Sequence, residues 1–170
     1  VDGDVFIVND PYNGGSHLPD VFLIKPVFYG DQLVGFSGSE AHHADLGGRV
    51  VGGNAADSRE LFEEGLIIPP SYLFRGGRPD TTMWGLFRRN SRFPALVEGD
   101  LGAQLTAVEV GASELINLLD RYGAETFFRY VESILDYSET LTRREISAWP
   151  DGSYEHTDYI DDDGISDSPI

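Results

Sequence analysis

The chain has 170 residues, 41% of them hydrophobic and 12% aromatic, which suits one packed domain and argues against wholesale disorder. Twelve basic against 29 acidic residues leave a formal charge of −17, which repels phosphate backbones and anionic lipid heads and so disfavours nucleic-acid and membrane-surface binding. Cysteine is absent, which excludes disulfides, thiolate metal sites and cysteine nucleophiles, and no apolar run approaches the length that spans a bilayer.

Val1-Asp2-Gly3-Asp4 reads as the approach to a strand, with no basic n-region or apolar h-region of a secretory signal before it. Val5-Phe6-Ile7-Val8 is a short continuous apolar run, as in a strand buried on both faces. Val21-Phe22-Leu23-Ile24 is a second run, closed by Pro26. Val27-Phe28-Tyr29, the turn signal Gly30-Asp31 and Leu33-Val34-Gly35-Phe36 read as a hairpin. Residues 45–58, with Asp45-Leu46-Gly47-Gly48 and Gly52-Gly53-Asn54, predict an irregular loop long enough to carry function. Ser58 to Gly65 predicts a short helix with a glycine stop, and Ile68-Pro69-Pro70 an extended stretch. Arg75, Arg78, Arg88, Arg89 and Arg92 read as a solvated basic loop that could also meet an anion or an acidic partner.

The period then changes. Leu101, Leu105, Val108, Ala112, Leu115 and Leu119 form the stripe of an amphipathic helix, stopped at Gly123. Phe127, Val131, Ile134, Tyr137 and Leu141 form a second stripe, and the pair predicts a helical hairpin whose two stripes pack on each other. Trp149-Pro150-Asp151-Gly152 is a turn, Tyr154 to Ile160 alternates as a further strand, and Asp161-Asp162-Asp163 is a solvated acidic turn. The expected fold is α+β in three parts: a strand- and loop-rich segment over 1–96, a helical hairpin over 97–149, and a strand over 150–170 leading into a continuation. A last strand without a partner marks the chain as a segment of a larger domain.

Three of the four histidines lie in the first 43 residues. His17 and Asp20 stand three residues apart, as do His42 and Asp45, both pairs in glycine-rich surroundings. Pro19 predicts a turn at the first pair. In an extended stretch His42 and His43 point to opposite faces, so only one of them can belong to a given ligand shell. Imidazole and carboxylate without thiolate suit Zn, Mn or Fe(II). The same residues also fit an Asx-turn at Asn9-Asp10-Pro11 and hydrogen-bonded histidines near a loop. His156 stands alone and reads as a surface residue. There is no Walker A pattern and no Gly-x-Ser-x-Gly elbow, and nothing singles out the Ser37-Gly38-Ser39 hydroxyls.

Gly3-Asp4-Val5-Phe6-Ile7-Val8-Asn9-Asp10-Pro11-Tyr12 followed by Gly14-Gly15-Ser16-His17-Leu18-Pro19-Asp20 resembles the hydantoinase B/oxoprolinase family. Ala41 to Gly48, Glu64 to Pro70, Gly99 to Gln104, Leu135 to Glu139 and Pro150 to Tyr154 are similar to its later blocks, in order, over nearly the whole chain. The resemblance implies a subunit of a cytoplasmic, hetero-oligomeric, ATP-dependent hydrolase opening a small cyclic amide such as a hydantoin, N-methylhydantoin, 5-oxoproline or a lactam. ATP and its Mg belong to a hydantoinase A-type partner, and transfer of a phosphoryl group to the amide oxygen makes the ring a better electrophile. The resemblance further implies a divalent metal, Zn, Mn or Fe, held by His17, Asp20 and His42, with Asp10, His43 and Asp45 in second rank. Its family also includes ATP-dependent ketone carboxylases, so a carboxylase component or a non-catalytic truncated segment is the alternative. Alone, the segment is expected to be inactive.

Overall fold

The computed structural model describes residues 1–159. Five antiparallel strands form one sheet in the order β3-β2-β1-β4-β5, joined by three helices, so the fold is α+β. β1 (Val5–Val8) takes the centre, between β2 (Asp20–Tyr29) and β4 (Ser71–Arg75). Val5 and Ile7 are buried on one face of β1, and on the other Val8 is buried and Phe6 half-buried against Tyr72, which accounts for its uninterrupted apolar run. β3 (Gln32–His42) returns along β2 through the Gly30-Asp31 turn, and β5 (Arg78–Pro79) pairs with β4 at the opposite edge.

Two departures from the expected strands have physical causes. β2 does not end at Pro26 but runs through it, paired with Phe36. β1 reaches only as far as Ile24 along β2, so Pro26 has a strand on one side alone, where a missing donor is tolerated. The β2–β3 ladder also shifts register between Val27 and Phe28, where Val27 faces Gly35 and Phe28 faces Leu33. Val34 is the extra residue of this bulge.

Between β3 and β4 the chain is irregular. The helix expected from Ser58 to Gly65 is reduced to a single 3-10 turn, Leu61–Glu63, with no buried residue to anchor a longer one. The basic stretch is not a loop. Asp80 accepts from the amides of Thr82 and Met83 and caps α1 (Thr81–Asn90), which buries Met83 and Phe87 one turn apart. α2 (Pro94–Tyr122) begins earlier than its stripe suggested, with Pro94 in the first turn. It buries Leu101, Val108, Ala112 and Leu119, as the periodicity requires, together with Gln104. α2 packs on β2 and β3, tied at its rim by Lys25–Glu109 and by Tyr29, whose hydroxyl donates to Asp120. Val5, Ile7, Val21, Leu23, Leu73, Phe87 and Leu101 share one core.

The chain divides into two compact units after Phe127. α3 (Ala124–Ser147) follows α2 directly after Gly123, so two consecutive helices stand where two stripes were read. The burial expected of the second stripe is not observed: α3 holds no buried residue, and Ile134 is 62% exposed. The apolar side chains of α3 are therefore not core in this chain. Tyr154 to Tyr159 is irregular and does not form the expected strand. Ile160 and the Asp161-Asp162-Asp163 turn lie outside the described residues. Among the described residues no helix is long and apolar enough to cross a membrane.

Candidate metal centre

The ends of β2 and β3 bring two distant residues together. Asp20, the first residue of β2, stands opposite His42, the last of β3. Opposed residues of an antiparallel pair share a face, and His42 Nδ1 lies 2.7 Å from Asp20 Oδ1. His17 arrives from the preceding turn. The Asp20 amide donates to the His17 carbonyl at 2.8 Å, closing a turn around Leu18 and Pro19, both buried. The His17 and His42 rings then lie with centroids 5.5 Å apart. One ligand atom from each of His17, Asp20 and His42 falls within 4.8 Å of the others, with His17 and Asp20 half-buried and His42 exposed.

The electrostatics suit a cation. Burial opposes ionisation of Asp20, but the His42 ring and the Ser16 hydroxyl, which donates at 3.0 Å, outweigh it and hold the carboxyl below the usual carboxylate value. Two imidazoles and an anionic carboxylate, open on the His42 side, form a mixed N/O donor set of the kind that binds Zn, Mn or Fe(II) and leaves positions for water or substrate.

The second-rank residues are engaged elsewhere. Asp10 accepts from the Tyr12 amide at 2.9 Å and from Asn13 at 2.6 Å, the Asx-turn reading of that segment. Asp45 is fully buried and bound by Arg92 through both its backbone amide and its guanidinium, at 2.6 and 2.7 Å. Arg92 Nη2 also donates to the Gly48 carbonyl at 2.6 Å, so one side chain ties down the glycine loop after β3. Gly48 itself has φ +79°, and a Cβ there would sit 2.5 Å from the Glu64 backbone.

His43 faces away from His42, into the core, as alternation in a strand demands. Its ring lies against Phe87, and its Nε2 is 2.8 Å from Gln104 Oε1. The Gln104 amide nitrogen is committed to the Val21 carbonyl at 2.7 Å, so its oxygen turns to His43 and the His43 proton belongs on Nε2. Burial pushes the pKa of His43 down, against the pull of the Gln104 oxygen toward the protonated ring. Nδ1 has no partner among the described residues.

Asn9, Arg92 and Gln104 lie outside the candidate ligands that the sequence offers. Gln104 carried a signal: it stands three residues after Leu101 and four before Val108, on the buried stripe, where a polar side chain must find partners.

Residues 1–170 match the family described as hydantoinase B/oxoprolinase. The chain is 38% identical over 168 residues to a Pseudomonas sp. (strain NS671) protein whose name describes the B-type component of a D-/L-hydantoinase, covering 98% of this chain and 28% of that one. It is 39% identical over 163 residues to the beta chain of the caprolactamase of Pseudomonas jessenii, covering 96% of this chain and 28% of the relative. The crystal structure of the ATP-dependent caprolactamase from that organism superposes with a TM-score of 0.85 at 39% identity, over 89% of this chain and 26% of the other. The chain thus spans about a quarter of the length of the relatives it matches.

Proposed function

Because the chain belongs to the hydantoinase B/oxoprolinase family, we propose that it is the metal-binding segment of a subunit that opens a cyclic amide, a hydantoin, 5-oxoproline or a lactam, with ATP bound by a hydantoinase A-type partner. The observation that carries this reading is the convergence of His17, Asp20 and His42 from a turn and two strand ends. A divalent cation held by these three supplies a Lewis acid that polarises a carbonyl oxygen and lowers the pKa of bound water. Asp20 contributes the negative charge, kept ionised by His42 and Ser16. Exposed His42 leaves the centre open to a small substrate.

The test is metal analysis and turnover of the full-length protein with its partner. Ring opening of a hydantoin, oxoproline or lactam is expected to require ATP. It should vanish in His17→Ala and on chelation, and return when Zn, Mn or Fe is restored to the chelated protein. Undiminished turnover in metal-free His17→Ala would sink the reading.

A further inference from the structure

Asp20 and His42 owe their approach to strand register, but His17 belongs to no strand. Something else must hold it beside them. A buried side chain bonded to its turn is the carboxamide of Asn9, the residue after β1. We infer that Asn9 is a positioning residue of the metal centre, fixing the His17–Asp20 turn so that His17 can share a cation with Asp20 and His42. This inference rests on the metal reading above.

Asn9 is fully buried, and both of its donors and one of its two acceptor positions are engaged. Nδ2 donates to the Leu18 carbonyl at 2.6 Å and to the Leu66 carbonyl at 2.9 Å, while Oδ1 accepts from the Ile68 amide at 2.7 Å. The partners fix which way the amide faces, since two carbonyls need a donor and an N–H needs an acceptor. Leu18 is the residue after His17, and its side chain is buried, so the turn is held by carbonyl and side chain together. Gly15 packs so tightly on the Asn9 and Asp10 carbonyls that any Cβ there would overlap them. The His43 amide secures the far side of the turn by donating to Pro19 O at 2.7 Å.

The Leu66 and Ile68 bonds extend the reach of Asn9. The Leu66 amide donates to the Leu46 carbonyl at 2.9 Å, in the segment that follows His42. One carboxamide therefore joins the turn carrying His17 to chain packed against the segment leaving His42. Asn9 touches no ligand side chain, so its effect falls on where His17 stands. Partners that hydrogen-bond a metal ligand directly typically cost about 10–100-fold in affinity when removed, and Asn9, acting one residue away through the Leu18 carbonyl, belongs at the lower end of that range.

The test is a Co2+ titration of the full-length protein, read by the visible absorption of the bound ion. His17→Ala should abolish the band, which identifies it with this site; a band that survives there, or none in the wild type, would overturn the metal reading and this inference with it. Asn9→Asp keeps the size but turns a carboxylate oxygen toward the two carbonyls. It should weaken Co2+ binding by about 10-fold or more and alter the band. Leu73→Ala, a cavity in β4 away from the turn, should lower stability and leave both unchanged. Equal metal affinity in Asn9→Asp and wild type, or equal losses in Asn9→Asp and Leu73→Ala, would overturn the positioning role while the metal reading stands. If Asn9→Asp does not fold, hydrogen exchange of the wild type decides. Zn2+ should slow the Ile68 amide together with that of Asp20, and an unaffected Ile68 amide refutes the coupling through Asn9.

Discussion

Replacing Arg92 by Ala should destabilise the protein by about 2–3 kcal/mol, and the structure sets that figure. The substitution removes a 2.7 Å charge-assisted bond to Asp45 Oδ1 and a 2.6 Å bond to the Gly48 carbonyl. Hydrogen bonds to charged groups are worth roughly 1.5–3 kcal/mol, and stripping the partner from a fully buried pair costs about 3–5 kcal/mol. Two features keep the cost near the lower range. The Arg92 backbone amide still donates to Asp45 Oδ2 at 2.6 Å, and the Arg92 side chain is 41% exposed, so water can reach part of what it leaves. Urea melts of the wild type, Arg92→Ala, Asp45→Asn and the double variant measure the pair. In the Asp45→Asn background no charge is left stranded, so Arg92→Ala should cost about 1 kcal/mol there, giving a coupling of about 1–2 kcal/mol. If the two substitutions add to within roughly 0.5 kcal/mol, the stranded carboxylate is not what Arg92 prevents, and the reasoning fails.

Phe87→Ala should cost about 3–5 kcal/mol in the same melts, because its ring is fully buried between the sheet and α2. Ile134→Ala should change the stability of this chain by no more than about 0.5 kcal/mol, since its side chain is largely in water; a loss of core size would show that α3 is buried after all. The bond to Asp120 raises the Tyr29 phenol above its ordinary value of 10.0. A raised folded value means stability that is complete below pH 10 and is lost as pH climbs through the folded value. The urea midpoint of the wild type should therefore fall more steeply above pH 10 than that of Tyr29→Phe, and parallel curves would contradict the bond.

Much of this arrangement was legible in the residues, and the remainder fails for identifiable reasons. The α2 stripe was plain because Leu101, Val108, Ala112 and Leu119 repeat over a long helix. β1 was plain because a strand largely buried on both faces does not alternate. α1 was hidden: it buries only Met83 and Phe87, with Trp84 half-buried against the core, has Gly85 at its middle, and carries two arginines in its last turn. The Asp80 cap was its one clear signal. The stripe of α3 announced a helix correctly, yet an apolar face does not say whether its own chain covers it. His17 and Asp20 were legible together through a local turn. Adding His42 took a family resemblance, because its place beside Asp20 depends on hairpin register, which local spacing does not reveal.

The bulge at Val34 makes the centre a matter of parity. An odd number of residues separates Asp20 from His42, and the two-residue turn at Gly30-Asp31 leaves an odd number to be shared between the strands. An odd number cannot pair off evenly. Zipped without a bulge, the same hairpin would set Ala41 opposite Asp20 and turn His42 to the other face, with His43 brought round in its stead. Tolerated length changes in this hairpin are thus quantised. Adding or removing one pair of residues preserves the facing side chains, whereas a single insertion must erase the irregularity elsewhere or lose the ligand. Deleting Val34 alone is the exception: it leaves a regular ladder with His42 still across from Asp20.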